Sequence, residues 1–250
     1  MKPNGNKILI TGGASGIGLR LAQEFQKIGN QVIIAGRRQS LIDEVIAANP
    51  GITGYVLDID DPQSIADFAA KVTTEHSDLN VLLNNAGIMK FEPQGDDPID
   101  LAIAEATVST NLLGPIRLIA ALLPHLRRQS QSAIVNVSSG LAFVPLAVTP
   151  TYNATKAAIH LYTVSLRRLL RDTTVEVLEL IPPSVQTGLF PGHAEDPNAM
   201  PLEDFIAETM AEFKRQPTPH EIKVKRVGFQ RDAEAEGRFE QAFDIINGGH

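Results

Sequence analysis

Short runs of β-branched and other apolar residues alternate along the chain with longer stretches in which apolar positions recur every three or four residues. The first run, Lys7-Ile8-Leu9-Ile10, leads through a glycine-rich turn into Leu19, Leu21, Ala22 and Phe25 at helical spacing, a pattern that predicts a βα unit. Further strands are predicted at 31–35, 54–57, 79–83, 133–137, 175–180 and 221–224, with helical stretches between each pair, a helix over 152–170 and a polar closing helix over 232–246. Strands apolar on both faces and separated by helices imply a parallel sheet covered on both sides, a doubly wound α/β fold. Pro182, Pro183, Pro191, Pro197 and Pro201 interrupt regular structure, so the stretch at about 189–215 is predicted to be a loop or lid over a ligand. No repeat or linker divides residues 1–250, which predicts a single domain.

Composition narrows the chemistry. The chain has 250 residues and no cysteine, which excludes disulfides, zinc ribbons, iron–sulfur clusters and thiolate nucleophiles. No unbroken run of about 18 apolar residues occurs, and residues 1–6 are too polar for a secretory signal; the expectation is a soluble, cytoplasmic protein without a membrane partner. With Lys+Arg 22 against Asp+Glu 29, the formal charge of -7 argues against a nucleic-acid partner. The six histidines lack ligand spacing, so no metal is expected. Asp96, Asp97 and Asp100 read as helix-capping residues, and the acidic stretch 232–236 as a solvated helix start.

The first chemical signal is the turn Thr11-Gly12-Gly13-Ala14-Ser15-Gly16-Ile17-Gly18 between the first strand and helix. Glycines there let the backbone approach a pyrophosphate, whose charge meets the free N–H groups of the helix N-terminus. Its spacing differs from G-x-G-x-x-G, and a tight βα turn favours glycine even without a ligand. At the end of the second strand, where an acidic residue would hold an adenosine ribose hydroxyl, the chain reads Gly36-Arg37-Arg38. A guanidinium in that place offers charge-assisted hydrogen bonds to a 2′-phosphate, which favours NADP(H) over NAD(H).

The second signal is Tyr152 and Lys156, four residues apart on a predicted helix and therefore on one face. An ammonium beside a phenol favours the phenolate, and lowering the phenol from its ordinary pKa of about 10 toward neutrality suits it to proton transfer. Upstream, the strand ending in Ser138-Ser139 places hydroxyls where ligands bind in open parallel sheets, and Ser139 is suited to donate to a substrate oxygen as charge builds there. Neither serine lies in a G-x-S-x-G elbow, so a serine-hydrolase reading gains nothing.

Together these residues resemble the short-chain dehydrogenases/reductases of the roughly 250-residue type. The resemblance runs from about Lys7 to Thr187 and follows the family's order: the glycine turn, Asp58, Asn84-Asn85-Ala86-Gly87, Asn111, Ser139, and Tyr152 with Lys156; Ser139 stands 13 residues before Tyr152, which selects it over Ser138. The resemblance implies a Rossmann-type sheet of about seven strands. It also implies an adenine contact at Asp58, cofactor contacts at Gly12, Ser15, Gly16, Ile17, Gly18, Asn85, Ala86 and Gly87, and an asparagine at position 111 that opens a helix backbone for a proton relay. After the sixth strand the usual P-G-x-V-x-T reads Pro182-Pro183-Ser184-Val185-Gln186-Thr187; Pro182, Val185 and Thr187 are the expected nicotinamide contacts. This Pro-Pro variant is similar to the DltE-like branch.

The implied activity is hydride transfer between nicotinamide C4 and a carbonyl or alcohol carbon, with Tyr152 as proton donor, Ser139 holding the oxygen and Lys156 binding the ribose. Leu141, Phe143, Phe190 and the loop 189–200 are expected to contact the substrate, an aliphatic or aromatic ketone or aldehyde. A homodimer or homotetramer is expected from the family. A catalytically silent NADP-binding regulator is the alternative; it would be marked by loss of Ser139, Tyr152 or Lys156, and all three are present. An epimerase or dehydratase of the longer branch requires a C-terminal sugar-nucleotide domain, and only 94 residues follow Lys156.

Overall fold

A computed structural model describes residues 1–92 and 101–248; the expected caps Asp96, Asp97 and Asp100 lie outside the described residues. In chain order the elements are β1 (Lys7–Thr11), α1 (Gly16–Lys27), β2 (Gln31–Gly36), α2 (Gln39–Ala48), β3 (Ile52–Val56), α3 (Pro62–Glu75), β4 (Val81–Asn84), α4 (Leu101–Val108) and α5 (Gly114–Leu126). β5 (Ser132–Val137), α6 (Pro150–Leu169), β6 (Val175–Ile181), α7 (Leu202–Lys214), β7 (Glu221–Lys223), α8 (Gly228–Arg231) and α9 (Phe239–Ile246) follow. The seven strands form one parallel sheet in the order β3-β2-β1-β4-β5-β6-β7. The order reverses between β1 and β4, and the crevice at such a reversal is where open α/β sheets bind ligands.

Alternate residues of each strand feed two cores. Ile8, Ile10, Ile34 and Leu83 face one way, with Phe25 of α1 and Phe205 and Phe213 of α7. Leu9, Ile33 and Leu82 face the other, with Phe68 of α3 and Leu118 and Leu122 of α5. Helix starts follow local chemistry: Asp61 accepts from the Gln63 amide at 2.9 Å ahead of Pro62, and Pro150 opens α6, a position where a missing N–H costs nothing. The run Leu101–Leu126 is long and apolar enough by length and composition to cross a membrane. Here Leu118, Ile119, Leu122 and Leu126 are buried in the protein core, and the His125 ring bonds the Leu79 carbonyl at 3.0 Å.

Two expectations are corrected. Of the stretch 189–215, α7 is no loop: Phe213 packs edge-on to Phe25 at 5.2 Å between ring centroids, and Phe205 and Ile206 are buried. The proline count hid its apolar stripe. The helix expected over 232–246 begins only at Phe239, because Gly237 adopts φ 67°, a left-handed conformation that breaks a helix; residues 232–236 are therefore not its first turn.

The turn after β1 is held by close backbone approach. A Cβ on Gly18 would lie 2.4 Å from the Gly12 carbonyl oxygen and 2.5 Å from Asn85 Nδ2, both on the facing turns. Gly18→Ala is expected to destabilise the protein by about 2–3 kcal/mol through overpacking, whereas Gly36→Ala, whose Cβ meets nothing within 4 Å, should change the urea midpoint little. Equal midpoints for the two variants would refute this account of the turn.

Candidate active site

The carboxyl ends of β1, β2, β4, β5 and β6 open on one cleft of about 750 Å³. Gly12, Ser15, Gly16 and Ile17 line it from the first turn, Arg37 and Arg38 from the end of β2, and Asn85, Ala86 and Gly87 from the turn after β4. Ser139, Tyr152 and Lys156 line its floor, and Pro182, Val185 and Thr187 its far wall. Gly12 and Gly16 take φ of 64° and 51°, which only glycine adopts freely.

The two turns flanking the crevice are stapled together. Thr11 Oγ1 accepts from the amides of Asn85 and Ala86, each at 3.1 Å, and Asn85 Nδ2 donates to the carbonyls of Thr11 and Gly12 at 3.1 and 3.3 Å. Asn85 thus spends its side chain on the scaffold and leaves the cleft to the backbone of its turn.

At the floor, Lys156 Nζ donates to the Val137 carbonyl at 2.9 Å and lies 5.6 Å from the centre of the Tyr152 ring. A π-helical turn, Ser109–Leu113, joins α4 to α5 and carries Asn111 at its centre. The Asn111 side chain accepts from the Ile88 amide and donates to the Ile88 carbonyl, both at 2.8 Å, fixing the turn that bears Gly87. A Cβ on Gly87 would lie 3.3 Å from Asn111 Oδ1, a tight approach, and 3.7 Å from Lys156 Nζ, an ordinary contact.

Burial dominates the electrostatics. The Tyr152 phenol is pushed up to about 12 by desolvation, against a smaller downward pull from its hydrogen bond with Ser139. Desolvation pushes the Lys156 ammonium down to about 8. The sequence reading expected Lys156, helped by an oxidised nicotinamide, to lower the phenol; in the protein alone the cost of burying a phenolate raises it.

Several expected residues stand elsewhere. Gly18 lies behind the turn and Asn111 behind Gly87. Asp58 organises its own turn, accepting from the Asp60 amide at 3.0 Å, while its neighbours Leu57 and Ile59 reach the cleft wall. Leu141 donates its amide to Ser139 Oγ at 3.1 Å but is no part of the wall. Phe143, expected at the substrate, is instead held between the His160 ring at 4.8 Å and the Arg231 guanidinium at 4.6 Å. Phe190 stacks on His193 at 4.1 Å and meets the edge of Phe91 at 5.2 Å; His193, rather than Phe190, lines the cleft.

Of the loop 189–200 expected at the substrate, Leu189 and His193 line the cleft; the sequence reading missed Ile88 and Thr110, which line it too. It also missed a charged group below Phe143. His160 Nδ1 bonds both oxygens of the fully buried Glu179 at 2.9 and 3.0 Å, and the ligand atoms of His160, Glu179 and Glu221 lie within 4.8 Å of one another. Arg231 forks onto Glu221 at 2.7 and 3.0 Å, supplying a cation to that cluster. Register alone signals this: Glu179 and Glu221 pair across β6 and β7.

Residues 6–198 match the short chain dehydrogenase family model. The chain is 44% identical over 192 residues to a Bacillus subtilis (strain 168) protein named uncharacterized oxidoreductase DltE, covering 76% of this chain and 75% of that one. It is 32% identical over 192 residues to an NADP-dependent 3-hydroxy acid dehydrogenase of Schizosaccharomyces pombe, covering 74% and 73%. A short chain dehydrogenase from Burkholderia cenocepacia J2315, solved in complex with NADP, shares the fold at TM-score 0.81 and 23% identity, covering 98% of each chain. With its reversed-order parallel sheet, its glycine turn and its matched sequence, the chain belongs to the short-chain dehydrogenases/reductases.

Proposed function

We propose that this oxidoreductase prefers NADP(H) and exchanges hydride with a small, largely apolar carbonyl or alcohol substrate. The observation that carries the reading is the convergence of Ser139, Tyr152 and Lys156 on the floor of one cleft whose other end presents Arg37 and Arg38. The residues fit a dinucleotide: the glycine turn brings backbone to the cleft, Ser138 Oγ lines it buried and without a partner, and two guanidiniums stand where a 2′-phosphate would lie. When bound, the nicotinamide supplies or accepts the hydride.

The chain's own residues manage the proton. In the reductive direction Tyr152, protonated throughout the physiological range at about 12, donates to the substrate oxygen, and the Ser139 hydroxyl donates a hydrogen bond to the same oxygen. The phenolate left behind lies beside Lys156, cationic below about pH 8. Lys156 is also placed to hold a ribose, and the Asn111 turn to relay the returning proton. All three catalytic groups line the cleft, so no observation favours the silent-regulator alternative. Leu101, Leu113, Leu161, Val164 and Leu169 are exposed on α4 to α6, and these faces fit a homodimer or homotetramer. A reducing cytoplasm suits the cysteine-free chain.

Tyr152→Phe should leave less than about a tenth of wild-type turnover with NADPH affinity within a few-fold, because it deletes the proton and little else; substantial residual turnover in a carbonyl-reduction assay would refute the assigned donor. Arg37 lies 3.6 Å from Asp60, itself bonded to Thr110 Oγ1 at 2.8 Å, which keeps the guanidinium at the cleft. NADPH should therefore bind at least about tenfold tighter than NADH, or roughly 1.4 kcal/mol, and Arg37→Asp should reverse the order in titration calorimetry.

Lys156 makes a prediction about stability. The folded chain releases its proton near 8 against an ordinary 10.5, so between these values the unfolded chain binds more protons and stability rises with pH. Below 8 the folded state carries the full cost of the buried charge. Lys156→Met should abolish the rise, up to about 3 kcal/mol between pH 7 and pH 10.5, while weakening NADPH binding; an unchanged difference in urea midpoints across that window would refute the buried-cation assignment.

A further inference from the structure

The loop after β6 is closed on itself. The Met200 amide donates to the Ser184 carbonyl at 2.8 Å, the Gln186 amide to the Met200 carbonyl at 2.9 Å, and Gln186 Nε2 to the Asp196 carbonyl at 3.0 Å. Inside this closure His193 is 4% exposed. Its Nε2 bonds Ser184 Oγ at 2.9 Å and its ring stacks on Phe190 at an interplanar angle of 17°. Its Nδ1 is buried and has no hydrogen-bond partner. A buried polar nitrogen left unpaired is costly, and native interiors avoid it unless something else satisfies the group. His193 is also one of the residues lining the cleft that Ser139 and Tyr152 line. A structural histidine needs only the Ser184 bond and the Phe190 stack; the unpaired nitrogen is left for a ligand.

The charge along the cleft defines that ligand. Among the described residues, the lysines and arginines in its wall are Arg37 and Arg38 at the β2 end and Lys156 at the floor. Pro183, Gly188 and Leu189 of the same loop line the cleft and Phe190 stacks on the ring, and the loop itself, residues 182–201, brings no lysine or arginine to the site. Burial also pushes the imidazole below its ordinary pKa, with Asp196 opposing, which keeps the ring neutral near pH 7. A neutral ring in an apolar wall pairs best with an uncharged oxygen.

We propose that His193 is a substrate-binding residue that hydrogen-bonds, through Nδ1, an uncharged second oxygen of the carbonyl substrate, as in a keto ester. The inference rests on the oxidoreductase reading above and narrows its substrate class. The probes are ethyl acetoacetate, 2-heptanone of the same chain length but lacking the second oxygen, and acetoacetate, which carries a charge. His193→Ala should lower kcat/KM for ethyl acetoacetate by about tenfold and that for 2-heptanone by less than about twofold, and His193→Asn, which restores an amide near the Nδ1 position, should recover most of the loss. Equal losses on both ketones, or none, would overturn the assignment. A second measurement needs neither turnover nor a variant: with wild-type protein saturated with NADP+, no hydride is available to a ketone, and calorimetry reads binding alone. Ethyl acetoacetate should bind at least about fivefold tighter than either 2-heptanone or acetoacetate. If 2-heptanone binds as tightly, the hydrogen bond is refuted; if acetoacetate binds as tightly, the uncharged class is refuted. Failure to reduce any of the three with NADPH, beside selective binding of the ester, would instead count against the activity and leave the His193 contact standing.

Discussion

Keeping an ammonium out of water is the constraint around which the floor of the cleft is organised. Lys156 is almost wholly buried, and among the described residues its hydrogen bond goes to the carbonyl of Val137. That bond ties α6 to the end of β5, the strand that delivers Ser139. Among the described residues no carboxylate pairs with Lys156, a pairing that would stabilise the free protein but leave the lysine occupied. Gly87 lies beside Nζ instead, and the turn carrying it is clamped by Asn111 from a π-helical insertion. Such single π turns recur at functional sites because they reposition one backbone segment at modest cost. The same low polarity holds Tyr152 in its acid form. One cause, burial, thus raises the phenol and lowers the ammonium.

Much of this was legible in the sequence because its signals are local. Strands rich in Val and Ile, such as 31–35, can be buried on both faces only in a parallel sheet, and β2 indeed runs over Gln31–Gly36. The i, i+4 spacing of Tyr152 and Lys156 survives in α6, and the glycine turn and paired arginines line the cleft as expected. Strand ends moved by a few residues: β4 begins at Val81 rather than 79, and β3 spans Ile52–Val56 rather than 54–57, since apolar residues in a loop leading to a strand look like the strand itself.

What the sequence concealed depends on contacts between distant segments. Phe143 lies four residues from Ser139, and proximity in sequence suggested a substrate contact. Its ring is claimed by His160, one turn beyond Lys156, and by Arg231, far along the chain. That burial raises the Tyr152 phenol in the protein alone is not visible in spacing, which reveals the neighbouring charge and not the loss of water. His193 carried no spacing signal; its significance arises from closure of the loop by Ser184 and Met200.

The contact between Gly140 and Gln230 has a consequence for how this chain can diverge. A Cβ at Gly140 would fall 2.3 Å from Gln230 Oε1, so the residue after Ser139 is backed directly by α8, beyond the stretch 6–198 that carries the family pattern. The C-terminal stretch therefore limits the room beside the residue that follows Ser139. Drift in the last fifty or so residues need not touch any reacting group to retune the enzyme, and a tail exchanged between two relatives would carry with it a different seating of Ser139 even though every signature residue stayed the same.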